Sequence, residues 1–371
     1  MFIRTEKETL LSAITPALCA VSTKSTAPVL ECLYFQADEA TGRVTVTGFD
    51  NNKGLKTDFP ATVLAGGGIL LFGHKLSSFV RALPDGEVTL SNDDKLVATV
   101  SCKKSKMEFS GLSEQNFPAL PELSGDKEFL LEQGVLKKLL SGVIFSYLQE
   151  ETKPALTGVL FELAGGKLSL CSCDGYRISK TAAAIESDLE TSFLVPGRNL
   201  SELIKLLDDS DEPVKISVAR RHVIFTFNDL IFFSRLVEEP FIDYKRTLPN
   251  AFSCTASFDP QEALQCVERT ALVIDDRAKS PAIFTVGGEV IYLKSQTSNG
   301  KVESEFSAQI EGEGLVIGFN TRYLADALKG ALAFGSGTVF FEFVSPLKGA
   351  VLRPMEGDDF YYMILPIRIQ Q

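Results

Sequence analysis

The chain has 371 residues, 45% of them hydrophobic, and a formal net charge of −11 at pH 7. That length holds two or three ordinary cores, and no stretch reaches the roughly 18 to 20 consecutive apolar residues that a membrane-spanning helix needs, so the chain is not expected to cross a membrane. The acidic balance excludes a surface that is basic throughout, because phosphate binding draws on Lys and Arg; a nucleic-acid partner would have to meet a locally basic face.

The first element is an apolar segment from Leu10 to Val21. Glu6 and Glu8 stand where a secretion leader would be basic, and Ser12, Thr15 and Pro16 interrupt the segment, so it reads as a helix of the folded chain. Pro28 then opens PVLECLYF, and RVTVTGFD from Arg43 alternates with the period of a half-buried strand. HKLSSFVRAL from His74 has a helical period, LVATVSCKKSKMEFSGL alternates again, and Phe117 with Leu120-Pro121 closes the series. The series then returns. Val135, Leu136, Leu139, Leu140, Val143 and Ile144 gather one apolar helical face, with Lys137, Lys138 and Ser141 on the other side. Pro154 opens PALTGVLF, KLSLCSCDG alternates from Lys167, and RNLSELIKLL turns Leu200, Leu203, Ile204 and Leu207 inward. HVIFTFNDLIFFSRLVE alternates, and Phe241 with Leu248-Pro249 closes the second round. The third has a helical pattern over 260–274, PAIFTV from Pro281, TRYLADALKG from Thr321, AVLRPMEGDDFYYMILPIRI, and Phe360 with Leu365-Pro366.

A period of about 124 residues is too long for a solenoid and implies three whole domains of one fold. The expected class is α+β: three tandem copies of one domain, each with two helices packed on antiparallel sheets, over 1–124, 125–250 and 251–371. The six helical windows together carry a small positive charge in an acidic chain, so a face built from helices is where phosphate could be met.

Chemistry-bearing motifs are missing. The chain has no GxSxG, no HExxH and no phosphate loop, since Gly66-Gly67-Gly68 lacks the Lys-Ser/Thr that grips a nucleotide. The pairs Asp208-Asp209, Asp275-Asp276 and Asp358-Asp359 read as solvated loop acids. Asp50 and Asp174 coincide in the first two repeats, but the third has Thr297 there; a hydrolase using them is the weaker alternative. Seven cysteines without regular spacing read as reduced thiols of a cytoplasmic protein. The pair Cys171 and Cys173 could be completed to a zinc site only by His74 or His222, so no metal and no cofactor are expected. The reading is a binding or structural protein, not an enzyme.

SCDGYRIS at Ser172 to Ser179, LVPGRNLSELIKLL from Leu194, PFIDYKRTLP from Pro240, GFNTRYLADALKGAL from Gly318 and LPIRI from Leu365 resemble the bacterial sliding-clamp family, the β subunit of DNA polymerase III. The resemblance runs along the whole chain. It implies a DNA-clamp fold closing head to tail into a homodimer, a six-domain ring around double-stranded DNA without sequence preference. It also implies a processivity factor without catalysis, loaded by a separate clamp-loader ATPase. Carried over position by position, Lys24, Lys75, Gln149 and Arg198 would face the DNA, and helical spacing adds Arg81, Lys137, Lys138, Lys205, Arg322 and Lys329. The family's peptide pocket would use Leu156, Cys173, Gly175, Tyr176, Arg177, Ile178, Ile242, Arg246, Thr247, Met363, Leu365, Pro366, Ile367 and Arg368. Its clients would be the polymerase III catalytic subunit, the clamp loader, other polymerases and mismatch-repair proteins. Met363, Leu365 and Ile367 alternate, which predicts one shared side of a last strand, and Arg177, Arg246 and Arg368 would rim an apolar groove that suits an acidic or carbonyl-rich peptide. Ring closure would join Met107 and Phe109, on an edge strand, to Leu272 and Val273 of the other subunit. The sequence departs from the family's commoner pattern at Tyr176, where histidine is usual, at Ile242, where proline is usual, and in the added Gln370-Gln371. A clamp-like scaffold that binds peptides without encircling DNA is the other alternative.

Overall fold

The computed structural model describes residues 1–150, 152–249, 251–274, 281–298 and 300–369. Asp275-Asp276 and Gln370-Gln371 lie outside these. Two compact units form, Met1–Gln133 with Glu212–Leu236, and Gly134–Asp211 with Val237–Gln371. Both are built from antiparallel strands with helices packed on them, and no described helix is long and apolar enough to cross a membrane.

The first unit carries helices α1 (Lys7–Ala17) and α2 (Gly73–Ala82). Leu10, Ala13, Ile14 and Ala17 of α1 are buried, the i, i+3, i+4, i+7 set that one helical face presents. A five-stranded sheet runs in the order Thr62–Ala65, Phe2–Glu6, Glu87–Asn92, Val97–Cys102, Ser105–Ser110. An eight-stranded sheet begins with second-repeat strands Lys127–Glu132, Pro213–Val218, His222–Phe227 and Leu230–Arg235. It continues through first-repeat strands Lys53–Pro60, Arg43–Phe49, Cys32–Asp38 and Gly67–Phe72. The join is a full antiparallel ladder in which Ile231 faces Lys56 and Phe232 faces Leu55. Phe49, Ile224 and Phe233 form a buried apolar cluster there.

The second unit carries α3 (Gln133–Ser141), α4 (Gly197–Leu206), α5 (Pro260–Ala271) and α6 (Thr321–Ala333). Leu200 and Leu203 of α4 are fully buried, each contributing about 1.5–3 kcal/mol. Asp259 caps α5 by accepting from the Gln261 amide, with Pro260 in the first turn, and Asn320 caps α6 by accepting from the Arg322 amide. A nine-stranded sheet again splices two repeats, the second-repeat strand Arg177–Ala184 pairing with the third-repeat strand Phe360–Ile364. A four-stranded sheet has Gly300–Ser307 at one edge and Leu315–Phe319 at the other.

The apolar period through Val143 and Ile144 predicts a helix longer than the one that forms. α3 stops at Ser141, and Ile144–Ser146 is a separate 3-10 turn. Gly142 is a weak helix former, and a Cβ there would stand 2.6 Å from Thr181 Cγ2 and 2.9 Å from the Phe334 ring. The close packing therefore admits only glycine at the position where the helix stops.

Candidate functional site

A cavity of about 690 Å³ opens in the second unit. One wall is the turn between strands Lys167–Cys173 and Arg177–Ala184. Cys173 pairs across to Ile178, and Ile178 in turn to Met363. Asp174 shapes the turn: its Oδ1 accepts the Tyr176 amide at 2.9 Å and the Arg177 amide at 3.1 Å. Gly175 between them has φ +92°, a backbone state that a side chain would strain. The opposite wall comes from the 3-10 turn Tyr244–Thr247 and the residues after it, Leu248, Pro249 and Ala251. Val344, Lys348 and Gly349 complete the lining with Met363 and Leu365. Beneath it lies an apolar cluster of Leu156, Cys171, Cys173, Ile178, Tyr244, Val351 and Met363. Burial pushes the Cys173 thiol up, which keeps it protonated and apolar in character.

The mouth is apolar and cationic. Tyr176, Ile242 and Leu365 leave large apolar surface in solvent, as does Leu347 beside Lys348. The charged lining residues are Arg177, Arg246 and Lys348, and no carboxylate lines the cavity among the described residues. Arg177 does not rim the groove as expected. It is 6% exposed, with its guanidinium ion-paired to Asp174 and Asp326, so the free positive rim is Arg246 and Lys348. The Arg246 side chain is 86% exposed and 4.0 Å from Asp243, an ion pair of little strength in water.

Ten of the fourteen expected pocket residues line the cavity, and Leu156, Pro366, Ile367 and Arg368 do not. Leu156 supports the floor from below. The shared side predicted for Met363, Leu365 and Ile367 fails because the strand ends at Ile364, where Pro366 can donate no amide. The Ile367 amide donates instead to the Gly318 carbonyl at 2.8 Å. Arg368 is exposed, away from the lining. Sequence reasoning missed Leu248, Pro249, Ala251, Val344, Lys348 and Gly349; of these only Leu248-Pro249 carried a signal, as a repeat landmark.

The cations expected to meet DNA lie mostly on helices. In the first unit Lys24 is exposed in a loop, and Lys75 and Arg81 are exposed on α2. In the second unit Lys138 stands 4.7 Å from the Phe334 ring centroid, and Arg198 and Arg322 are exposed at the starts of α4 and α6. Gln149 is exposed but lies beyond α3. Three of the ten are less available than their spacing suggests. Lys137 pairs with Asp209 at 2.8 Å, Lys205 with Glu202 at 2.9 Å and Lys329 with Glu268 at 2.9 Å, which cancels much of their field.

Of the closure residues, Met107 is part-exposed on the edge strand Ser105–Ser110 and lines a shallow groove with His74, Lys75, Ser78 and Phe79. Phe109 is 6% exposed and packs edge-on against Phe79 at 6.0 Å, so most of its surface is buried within its own unit. Leu272, 83% exposed, and Val273 occupy the turn after α5.

Asp50 and Asp174 have structural work in place of catalysis. Asp50 accepts the Asn52 and Lys53 amides and pairs with the Lys53 ammonium at 2.7 Å, and Asp174 repeats this with Tyr176 and Arg177. Each acid closes a turn and holds the cation three residues on. No group of His, Cys, Asp and Glu suited to a metal occurs among the described residues.

Three family models for the DNA polymerase III beta subunit match in succession: the N-terminal domain over 1–121, the central domain over 130–243 and the C-terminal domain over 245–368. The chain belongs to the DNA polymerase III beta subunit family, the beta sliding clamps. It is 31% identical over 365 residues to the beta sliding clamp of Halalkalibacterium halodurans, covering 94% of either chain. It is 29% identical to that of Staphylococcus epidermidis over 98% of each. The crystal structure of the DNA polymerase sliding clamp from Bacillus subtilis superposes with a TM-score of 0.95 at 26% identity over 100% of both chains. The role that goes with this membership is that of a processivity clamp in DNA replication, a polymerase III subunit with no catalysis of its own.

Proposed function

We propose that two copies of the chain close head to tail into a ring around duplex DNA and tether a replicative polymerase through the cavity of the second unit. The observation that carries the recruiting role is the cavity itself: an apolar floor, apolar side chains left in solvent at its mouth, exposed Arg246 and Lys348, and no lining carboxylate among the described residues. That combination suits a short peptide with apolar anchors and an acidic side chain. Burying two such anchors is worth about 3–6 kcal/mol, part of it offset by ordering the peptide, so the anchors alone give weak binding and the charged rim and backbone contacts must supply the rest of a useful affinity. Its clients would be the polymerase III catalytic subunit, the clamp loader, other polymerases and mismatch-repair proteins. The repeats over 1–124, 125–250 and 251–371 would be the ring's domains.

Ring closure is supported by two exposed sheet edges. The edge strand Ser105–Ser110 presents Lys106 and Met107, and the edge strand Gly300–Ser307 presents Glu303 and Glu305. Lys106 is paired with Glu108 and Glu303 with Lys301 on their own strands, so what favours pairing between copies is the unpaired backbone of two open edges. Exposed Lys24, Lys75, Arg81 and Arg322 would give a sequence-independent attraction to phosphate. The thiols, all buried except that of Cys19, fit a reducing cytoplasm.

The deciding experiment is gel filtration of the protein with circular and with linearised plasmid, after loading by a cognate clamp loader and ATP. Retention on circles with loss from linear DNA is the expected outcome. Equal behaviour on both would replace the ring with surface binding, or with a peptide scaffold that does not encircle DNA.

A further inference from the structure

Arg177 is buried at the back of the cavity wall, and three groups hold its guanidinium. Nε donates to Asp174 Oδ2 at 2.9 Å, Nη1 to Asp326 Oδ2 at 2.7 Å, and Nη2 to the Phe145 carbonyl. Its Cζ lies 4.3 Å from the Tyr323 ring centroid and 5.2 Å from that of Phe145. Asp174 uses its other oxygen to hold the turn that carries Tyr176. Tyr176, 63% exposed, stacks on Tyr323 at 6.5 Å and 29°, and its carbonyl accepts the Leu365 amide at 2.9 Å, tying the turn to the end of the neighbouring strand Phe360–Ile364. Asp326 and Tyr323 sit on α6, about one turn apart, and neither lines the cavity.

We infer that Asp326 is a positioning residue for the cavity: through Arg177 it fixes the Asp174–Tyr176 turn, and with it the wall against which a peptide anchor packs. The inference rests on reading the cavity as a peptide site. Arg177 has two carboxylates to satisfy one buried cation, and they come from different elements. Without the charge on Asp326, the buried guanidinium keeps only Asp174 as a counter-charge beside the neutral Phe145 carbonyl, which is costly, and Asp174 cannot follow it without moving the two amides it holds. The stacking of Tyr176 on Tyr323 and the contact of Arg177 with the Tyr323 ring loosen together with the turn. A wall that must be ordered at the moment of binding lowers affinity.

The test is fluorescence anisotropy of a fluorescein-labelled hexapeptide, Gly-Ser-Leu-Asp-Leu-Phe, titrated with the full chain. Asp326→Asn is expected to weaken binding about tenfold, within the range for residues coupled through one network. In a Tyr176→Ala background the same substitution is expected to add nothing, because the wall it positions has already been removed. A lowered melting temperature with unchanged Kd would overturn the inference, and so would effects of Asp326→Asn and Tyr176→Ala that simply multiply. Should Asp326→Asn not fold, Tyr323→Leu removes the stacking face without stranding a charge; a loss of several-fold supports the inference, and unaltered affinity overturns it. Failure of the unsubstituted chain to bind the hexapeptide would sink the peptide reading, and this inference with it, before any variant is made.

Discussion

Tyr362 is 1% exposed, and its hydroxyl has no hydrogen-bond partner among the described residues. Burial pushes its phenol far up, as expected for a group that cannot ionise in an apolar setting. A buried hydroxyl without a partner costs about 1–3 kcal/mol, so Tyr362→Phe is expected to leave the melting temperature unchanged or raise it by a few degrees. A fall in a thermal scan would reveal a partner for the hydroxyl. Residue types in the cavity were legible from the sequence, but their duties were not. Arg177 and Arg246 are the same residue type, each inside a family motif string, yet one is locked between two carboxylates and the other stands in solvent. Asp326 lies 149 residues from Arg177, a separation no local pattern can bridge.

Helices and strands followed from periodicity, and their ends followed from something else. The turn of one hairpin shows the conflict. Between Val97–Cys102 and Ser105–Ser110 the loop places Lys103 at φ +53°, whereas the corresponding hairpin of the second repeat has Asn228 at φ +49°. Asparagine visits the left-handed region far more readily than lysine, which pays about 1–2 kcal/mol there. Lys103→Asn is therefore expected to raise the melting temperature by about 2–4 °C, while Lys103→Gln, which removes the same charge without the backbone preference, is expected to leave it unmoved. Equal shifts for both variants would assign the gain to charge. In α3 the apolar period continues past Ser141, but the helix ends before Gly142, a weak helix former that the packing of Thr181 and Phe334 requires there.

At the level of the assembled chain, sheets are shared across repeats, so that second-repeat strands complete a first-repeat sheet and a third-repeat strand completes a second-repeat one. The two open edges then set the expected assembly. Met107→Asp combined with Leu272→Asp is expected to give monomers by sedimentation velocity, because each places a charge on apolar surface that the proposed closure would bury. A dimer that survives the double substitution would place the interface elsewhere. By itself the sequence determined the threefold order of landmarks, the element types, the α+β class and the family, because period, turn residues and motif strings are written along neighbouring positions. Only the tertiary structure decided that the sheets are spliced, that Arg177 and Phe109 are buried, that Leu156, Pro366, Ile367 and Arg368 stand off the cavity, and that Lys348 joins it. Burial and ion pairing depend on which distant segments meet, and that is a property of the packed chain.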